Sequence, residues 1–189
     1  AEVLQPTVIA VTGGVGSLWV IYPDQSRVDV GCYRAIALDA GDRIEIAAPE
    51  TGLRQYLALR GGIAAPLILG SRSYDSLAAL GSPPVQVGEL LAQADAETTA
   101  VQVEPLSIPT LPRVGDTVEL DIVLGPRTDW FSSESVDLLL KQTWQVSADS
   151  NRVGLRLQGQ QALQRSQMQE LPSEGTCTGA LQVPPNGQP

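Results

Sequence analysis

Histidine is absent from all 189 residues of the chain. That absence excludes Ser-His-Asp and Cys-His catalysis and, with two cysteines as the remaining soft ligands, argues against a metal site of the zinc type. Cys32 and Cys177 lie far apart, without a CxxC spacing or a secretory leader, and read as two buried, reduced thiols in a cytoplasmic protein, with a disulfide or a reactive thiol as the alternative. Basic residues are few: 12 Lys and Arg against 21 Asp and Glu give a net charge of -9. The arginines are scattered, so the chain does not read as a nucleic-acid binder. No run approaches the ~18 apolar residues of a membrane span. Motifs are missing too. There is no P-loop, no HExxH, no GxSxG and no glycine fingerprint opening a helix. Gly13-Gly14-Val15-Gly16 precedes strand-like residues, lacks the helix N-terminus that holds a phosphate, and reads as a hairpin turn.

Glycine and proline are plentiful, at 18 and 14, in a chain that is 43% apolar and 17% charged. This is a globular composition of many short elements joined by tight turns, which favours a β-rich fold. Thr7–Thr12 is a β-branched run, and Leu18–Tyr22 follows at hairpin spacing. Alternation over Ala40–Ala47 places Ile44 and Ile46 on one face and Arg43 and Glu45 on the other. Leu53–Arg60 continues as strand, Tyr74–Leu80 reads as a helical turn or two, and Gln93–Pro112 reads as a surface excursion. Gly41-Asp42, Gly88-Glu89 and Gly115-Asp116 each precede an apolar segment, as one turn chemistry used three times would.

One helix is well signalled, over Ser132–Gln142. Ser132 caps it, Glu134 and Lys141 suit the macrodipole, and Val136, Leu139 and Leu140 form its apolar stripe. Strands are expected near Thr143–Val146, Val153–Gln158 and Thr178–Val183. The expected architecture is mainly β and barrel-like with one clear short helix. A β-rich half at 1–92 leads through a linker or excursion at 93–116 to a second β-rich half at 117–189.

Three polar clusters carry the candidate chemistry. Ser71, Arg72 and Ser73 follow Gly70 as donors for a carboxylate or phosphate, or as a capped turn. Arg127 and Asp129 sit in the turn before the helix, as a surface pair or a substrate clamp. Arg152 and Arg156 fall on the polar face of a strand bearing Val153 and Leu155, with Asp149 just upstream, facing an anion or a cross-strand acid. With no histidine present, a carboxylate is the plentiful base.

Four blocks carry a family resemblance: YLALRGGIAAPLILGSRSYD (Tyr56–Asp75), GPRTDWF (Gly125–Phe131), VSADSNRVGLRLQG (Val146–Gly159) and LPSEGTCTGALQVPPNGQP (Leu171–Pro189). In this order and spacing they resemble the carboxyltransferase subdomain C/D family, which includes allophanate hydrolase subunit 2, the C-type subunit of 5-oxoprolinase, the urea carboxylase carboxyltransferase and Kip-type antagonists. The resemblance implies a cyclophilin-like β-barrel and a B-type (subunit 1) partner chain. In the 5-oxoprolinase branch it implies ATP-dependent opening of 5-oxoproline to glutamate. The alternatives are carboxyl transfer from carboxybiotin to urea, and a non-catalytic module that binds a kinase inhibitor. Under the first reading Ser71, Arg72, Ser73, Arg127, Arg152, Arg156, Gly179 and Gln182 bind substrate, and Asp129, Asp149 or Glu174 serves as base. Where the family commonly has VPG this chain has Cys177-Thr178-Gly179. Family members also carry segments before and after these blocks, so the resemblance reads the chain as an internal fragment.

Overall fold

The computed structural model describes residues 1–96, 100–101, 104–170 and 172–189. Positions 97–99 and 102–103 of the expected 93–112 excursion, and Leu171 of the fourth block, lie outside the described residues. The chain forms two compact units, Ala1–Glu119 and Leu120–Pro189. The fold is mainly β with one α-helix among the described residues, as the composition and patterning indicate.

The first unit contains β1 (Thr7–Val15), β2 (Leu18–Ile21), β3 (Arg27–Asp29), β4 (Ile36–Leu38), β5 (Arg43–Ile46) and β6 (Thr51–Leu59). They make two antiparallel three-stranded sheets, ordered β4-β1-β6 and β3-β2-β5. Alternation places Ile9 and Val11 of β1, Leu18 and Val20 of β2, Ile36 and Leu38 of β4 and Ile44 of β5 in one buried cluster with Cys32. Ile46, at the end of β5, stays partly exposed, so only part of the expected alternation is realised.

β1 and β2 are central strands of different sheets rather than partners in the expected hairpin. Gly13 and Gly14 do not stop β1 either; it runs to Val15 through a bulge against β6. A Cβ on Gly13, whose φ is +86°, would lie 2.3 Å from the Arg54 carbonyl oxygen. The Tyr33 hydroxyl pins the bulge, accepting from the Gly13 N–H at 3.1 Å and donating to its carbonyl at 2.8 Å.

The three glycine-acid turns share one geometry. The carboxylates of Asp42, Glu89 and Asp116 accept from the backbone N–H of Asp39, Gln86 and Arg113, at 2.8, 2.8 and 2.7 Å. Gly41, Gly88 and Gly115 supply φ of 95°, 84° and 95°. Tyr74–Leu80 is no helix. The Asp75 carboxylate takes the N–H groups of Leu77 and Ala78, and Asp75 and Leu80 exchange backbone hydrogen bonds, which closes a tight loop.

The second unit holds a 3₁₀ turn (Thr128–Trp130), α1 (Ser133–Lys141), β7 (Gln145–Val146) and β8 (Leu157–Gln158). The helix starts as expected, with the Ser132 hydroxyl accepting from the Ser135 N–H at 3.2 Å. β7 and β8 form a short ladder. Residues 151–156 and 178–183 are not strands. Asn151 Oδ1 captures the Val153 and Gly154 N–H groups, and Gly179, at φ +87°, sits in a turn closed from Ala180 to Cys177. Val153 and Leu155 are accordingly exposed rather than opposed to a polar face.

Candidate functional site

The second unit is braced by polar side chains. Buried Ser135 donates to the Gln164 carbonyl at 3.0 Å and accepts from its N–H at 2.9 Å. The Gln142 amide spans Gln161 in the same way, and the Gln188 amide oxygen accepts from the Gly159 N–H at 2.8 Å. Gly187 is buried, and its carbonyl receives the Leu163 N–H at 2.9 Å. A Cβ there would lie 2.2 Å from the Leu163 carbonyl oxygen. The stretch Pro184–Pro189 is therefore a locked turn.

The turn before α1 presents Arg127. Thr128 Oγ1 donates to the Gly125 carbonyl at 2.7 Å, and the Ser166 N–H donates to the Trp130 carbonyl at 2.8 Å, which fixes the turn. The partner of Arg127 is not Asp129 but Glu174, 47 residues further on. Nε donates to Glu174 Oε2 at 3.3 Å and Nη2 pairs with Oε1, so the guanidinium grips both carboxylate oxygens. Both side chains remain partly exposed, at 48% and 39%.

Among the described residues no hydrogen bond or ion pair joins the other expected residues to this pair. Asp129 and Asp149 are exposed, and neither carboxylate has a hydrogen-bond or ion-pair partner among the described residues. Arg152 and Arg156 lie on the exposed loop between β7 and β8, also without side-chain partners among the described residues. Gln182 is exposed, and a Cβ on Gly179 would meet open space. In the first unit, Ser71 closes a two-residue turn with Ile68 around Leu69 and Gly70, both at positive φ. Ser71 Oγ caps the Ser73 N–H at 3.0 Å, and Arg72 Nε donates to the Ala65 carbonyl at 3.1 Å. This is the capped turn that the sequence allowed, with the rest of the Arg72 guanidinium unengaged among the described residues.

Sequence reasoning missed Arg165, whose Nη2 donates to the Val183 carbonyl at 2.8 Å, and the bracing serine Ser135. Neither lies in a recognisable motif. Cys32 is buried as expected, but Cys177 is exposed, on a loop whose residues 172–182 are all exposed. A shallow groove between α1 and residues 161–164 is lined by Ser132, Glu134, Asp137, Lys141, Gln161 and Gln164. The Glu134 carboxyl lies below its usual range because its own backbone N–H and the Ser132 hydroxyl bond the charged form. Among the described residues no His, Cys, Asp or Glu cluster is arranged for a metal, and no helix is long and apolar enough to cross a membrane.

The second unit thus presents one carboxylate held in an arginine fork, and on a separate exposed loop two arginines without side-chain partners among the described residues. The carboxyltransferase domain family, subdomain A and B, matches residues 1–189, and the chain belongs to that family. The four sequence blocks resemble the family under a C/D designation; the match carries A and B. The chain is 35% identical over 158 residues to the C-type subunit of 5-oxoprolinase from Escherichia coli, covering 82% of this chain and 49% of that protein. It is 31% identical over 167 residues to the urea amidolyase of Lachancea kluyveri, covering 81% of this chain and 9% of that one. Among solved structures, the Kluyveromyces lactis urea carboxylase matches at a TM-score of 0.67 and 27% identity over 88% of this chain and 15% of that one. The protein TTHA0988 matches at 0.73 and 25% identity, over 98% of this chain and 34% of that one. The chain thus spans about half the length of the 5-oxoprolinase protein that it matches.

Proposed function

We propose that this chain is part of a C-type subunit of an ATP-dependent 5-oxoprolinase complex, hydrolysing 5-oxoproline to glutamate and active only with a B-type (subunit 1) partner. The observation that carries the reading is the 35% identity to the C-type 5-oxoprolinase protein over 82% of the chain. A cytoplasmic location and a cyclophilin-like barrel for the whole family domain go with it, and so does the division of the chain into halves about the 93–116 segment.

In this reading Arg127 takes the substrate's carboxylate in its guanidinium fork, where charge-assisted bonds are strongest. Within the same unit Arg152 and Arg156 are further cations for carboxylate or phosphoryl charge, and Gly179 and Gln182 orient the substrate; Ser71, Arg72 and Ser73 of the first unit are a separate substrate-binding donor set for a carboxylate or phosphate. Asp129 or Asp149, free of partners among the described residues, or Glu174 once released from Arg127, acts as base. A carboxylate that acts as base needs a site sheltered from water and close to the proton it takes, which the partner protein has to supply.

ATP supplies the driving force for ring opening in such a complex. The glycine-rich stretch of this chain does not fit a nucleotide: Cβ positions at Gly13, Gly14 and Gly16 fall against Arg54, Pro49 and Ala48. No step on this chain is therefore routed through ATP. A second reading, the carboxyltransferase part of a biotin-dependent urea carboxylase, is favoured by the 31% identity to a urea amidolyase. Mixing the purified protein with its cognate A-type and B-type subunits separates the two. The first reading expects glutamate release from 5-oxoproline that requires ATP and is indifferent to avidin. Avidin-sensitive turnover of urea would favour the second, and no turnover of 5-oxoproline would overturn the first.

A further inference from the structure

We infer that Glu174 is an internal competitor for the carboxylate site on Arg127, so that a bound carboxylate ligand displaces it and frees the loop 172–182. The inference rests on the reading that Arg127 receives the substrate's carboxylate, and it adds how that site is kept closed.

A carboxylate already sits in the Arg127 fork. Glu174 satisfies Nε and Nη2 together, the contact that a ligand carboxylate would make there. The loop that delivers Glu174 has almost nothing else to hold it. Every residue from 172 to 182 is exposed, and among the described residues the Arg127 contact is the only hydrogen bond or ion pair from this segment to the rest of the unit. The Ala180-to-Cys177 turn is internal to the loop. A Cβ built on Gly175 or Gly179 would meet nothing within 4 Å, so no neighbouring group closes on the loop at either point.

Both ends of the arrangement are firm. Arg127 stands on the turn pinned by Thr128 and Ser166. Downstream, Arg165 holds the Val183 carbonyl, and Gly187 is locked against Leu163. The ion pair is therefore a latch between a fixed arginine and a loosely held carboxylate. An exposed pair of this kind biases a two-state equilibrium only a few-fold, so a ligand of modest affinity for Arg127 can open it. Opening also releases Glu174 from its cation as the ligand arrives.

Cys177, three residues from Glu174 and exposed, offers a probe independent of turnover, because Cys32 is buried. The full protein is labelled at Cys177 with a thiol-reactive fluorophore, and its anisotropy is followed during titration with 5-oxoproline or its carboxamide. In the wild type the anisotropy falls with 5-oxoproline and not with the carboxamide. Glu174→Gln starts at the low value and, by isothermal titration calorimetry, binds 5-oxoproline about two- to five-fold more tightly than the wild type, because the competitor is gone. Arg127→Gln also starts low and loses the response. Unchanged anisotropy in both variants, equal or weaker ligand binding by Glu174→Gln, or no response of the wild type to 5-oxoproline would each overturn the latch. The functional reading fails separately, if the assembled complex gives no ATP-dependent glutamate.

Discussion

The two units of this chain reach order by different means. Ala1–Glu119 closes two sheets over eight buried residues, with Val11, Leu18 and Val20 fully inside. Leu120–Pro189 has a single buried hydrophobic residue, Leu163, among its described residues. It relies instead on hydroxyl and amide side chains that bond backbone groups across the unit: Ser135 on Gln164, Gln142 on Gln161, Gln188 on Gly159. Apolar burial is additive and tolerant of detail, whereas a buried polar brace is costly when one half is removed. The latch inferred at Arg127 belongs to the second kind of unit, where one exposed ion pair ties a loop to the turn before α1.

That contrast can be broken by substitution. The largest effect is expected in the sheets: Leu18→Ala should lower unfolding stability by about 3 kcal/mol, read by urea denaturation followed by circular dichroism. If Leu18 contributes less than about 1 kcal/mol, the first unit does not depend on its core. Ser135→Ala is expected to cost about 1–2 kcal/mol, because the Gln164 N–H and carbonyl lose their buried partner. A neutral Ser135→Ala would mean that the polar bracing carries no weight.

A smaller effect is set by pH. The Asp29 carboxyl lies below its usual range, chiefly through the Ser17 hydroxyl and then the Gly31 N–H. A carboxyl with a lowered folded pKa contributes stability that is fully present above its unfolded value, near ~4, and lost as pH falls through the folded value. The Asp29→Asn variant should therefore show a flatter fall in melting temperature below pH ~4 than the wild type. An identical acid profile would mean that the Asp29 carboxylate contributes nothing to the acid dependence of folding.

Sequence alone was informative where local chemistry decides. The Ser132 cap, the helix behind it and the three glycine-acid turns follow from short-range hydrogen bonding, and all are present. It failed where tertiary pairing decides. Glycines at 13 and 14 look like a turn, but the close approach of Arg54 and Tyr56 needs a residue without Cβ inside a strand. Val153 and Leu155 alternate like a strand, yet Asn151 diverts their backbone into a loop. The site was half legible. Arg127 and Glu174 were both recognisable as candidates, but nothing local to either reveals an ion pair 47 residues apart. Pro184, Pro185 and Gly187 are turn-forming residues in the sequence, and only the contacts with Leu163 and Gly159 show what fixes that turn.

Arg127 is proposed to receive the carboxylate of 5-oxoproline, and the kinetics of the reconstituted complex test that assignment. ATP-dependent glutamate release should show kcat/KM lowered by at least about ten-fold in Arg127→Ala, a loss of about 1.4 kcal/mol of transition-state stabilisation. An Arg127→Ala complex with kcat/KM equal to the wild type would contradict it.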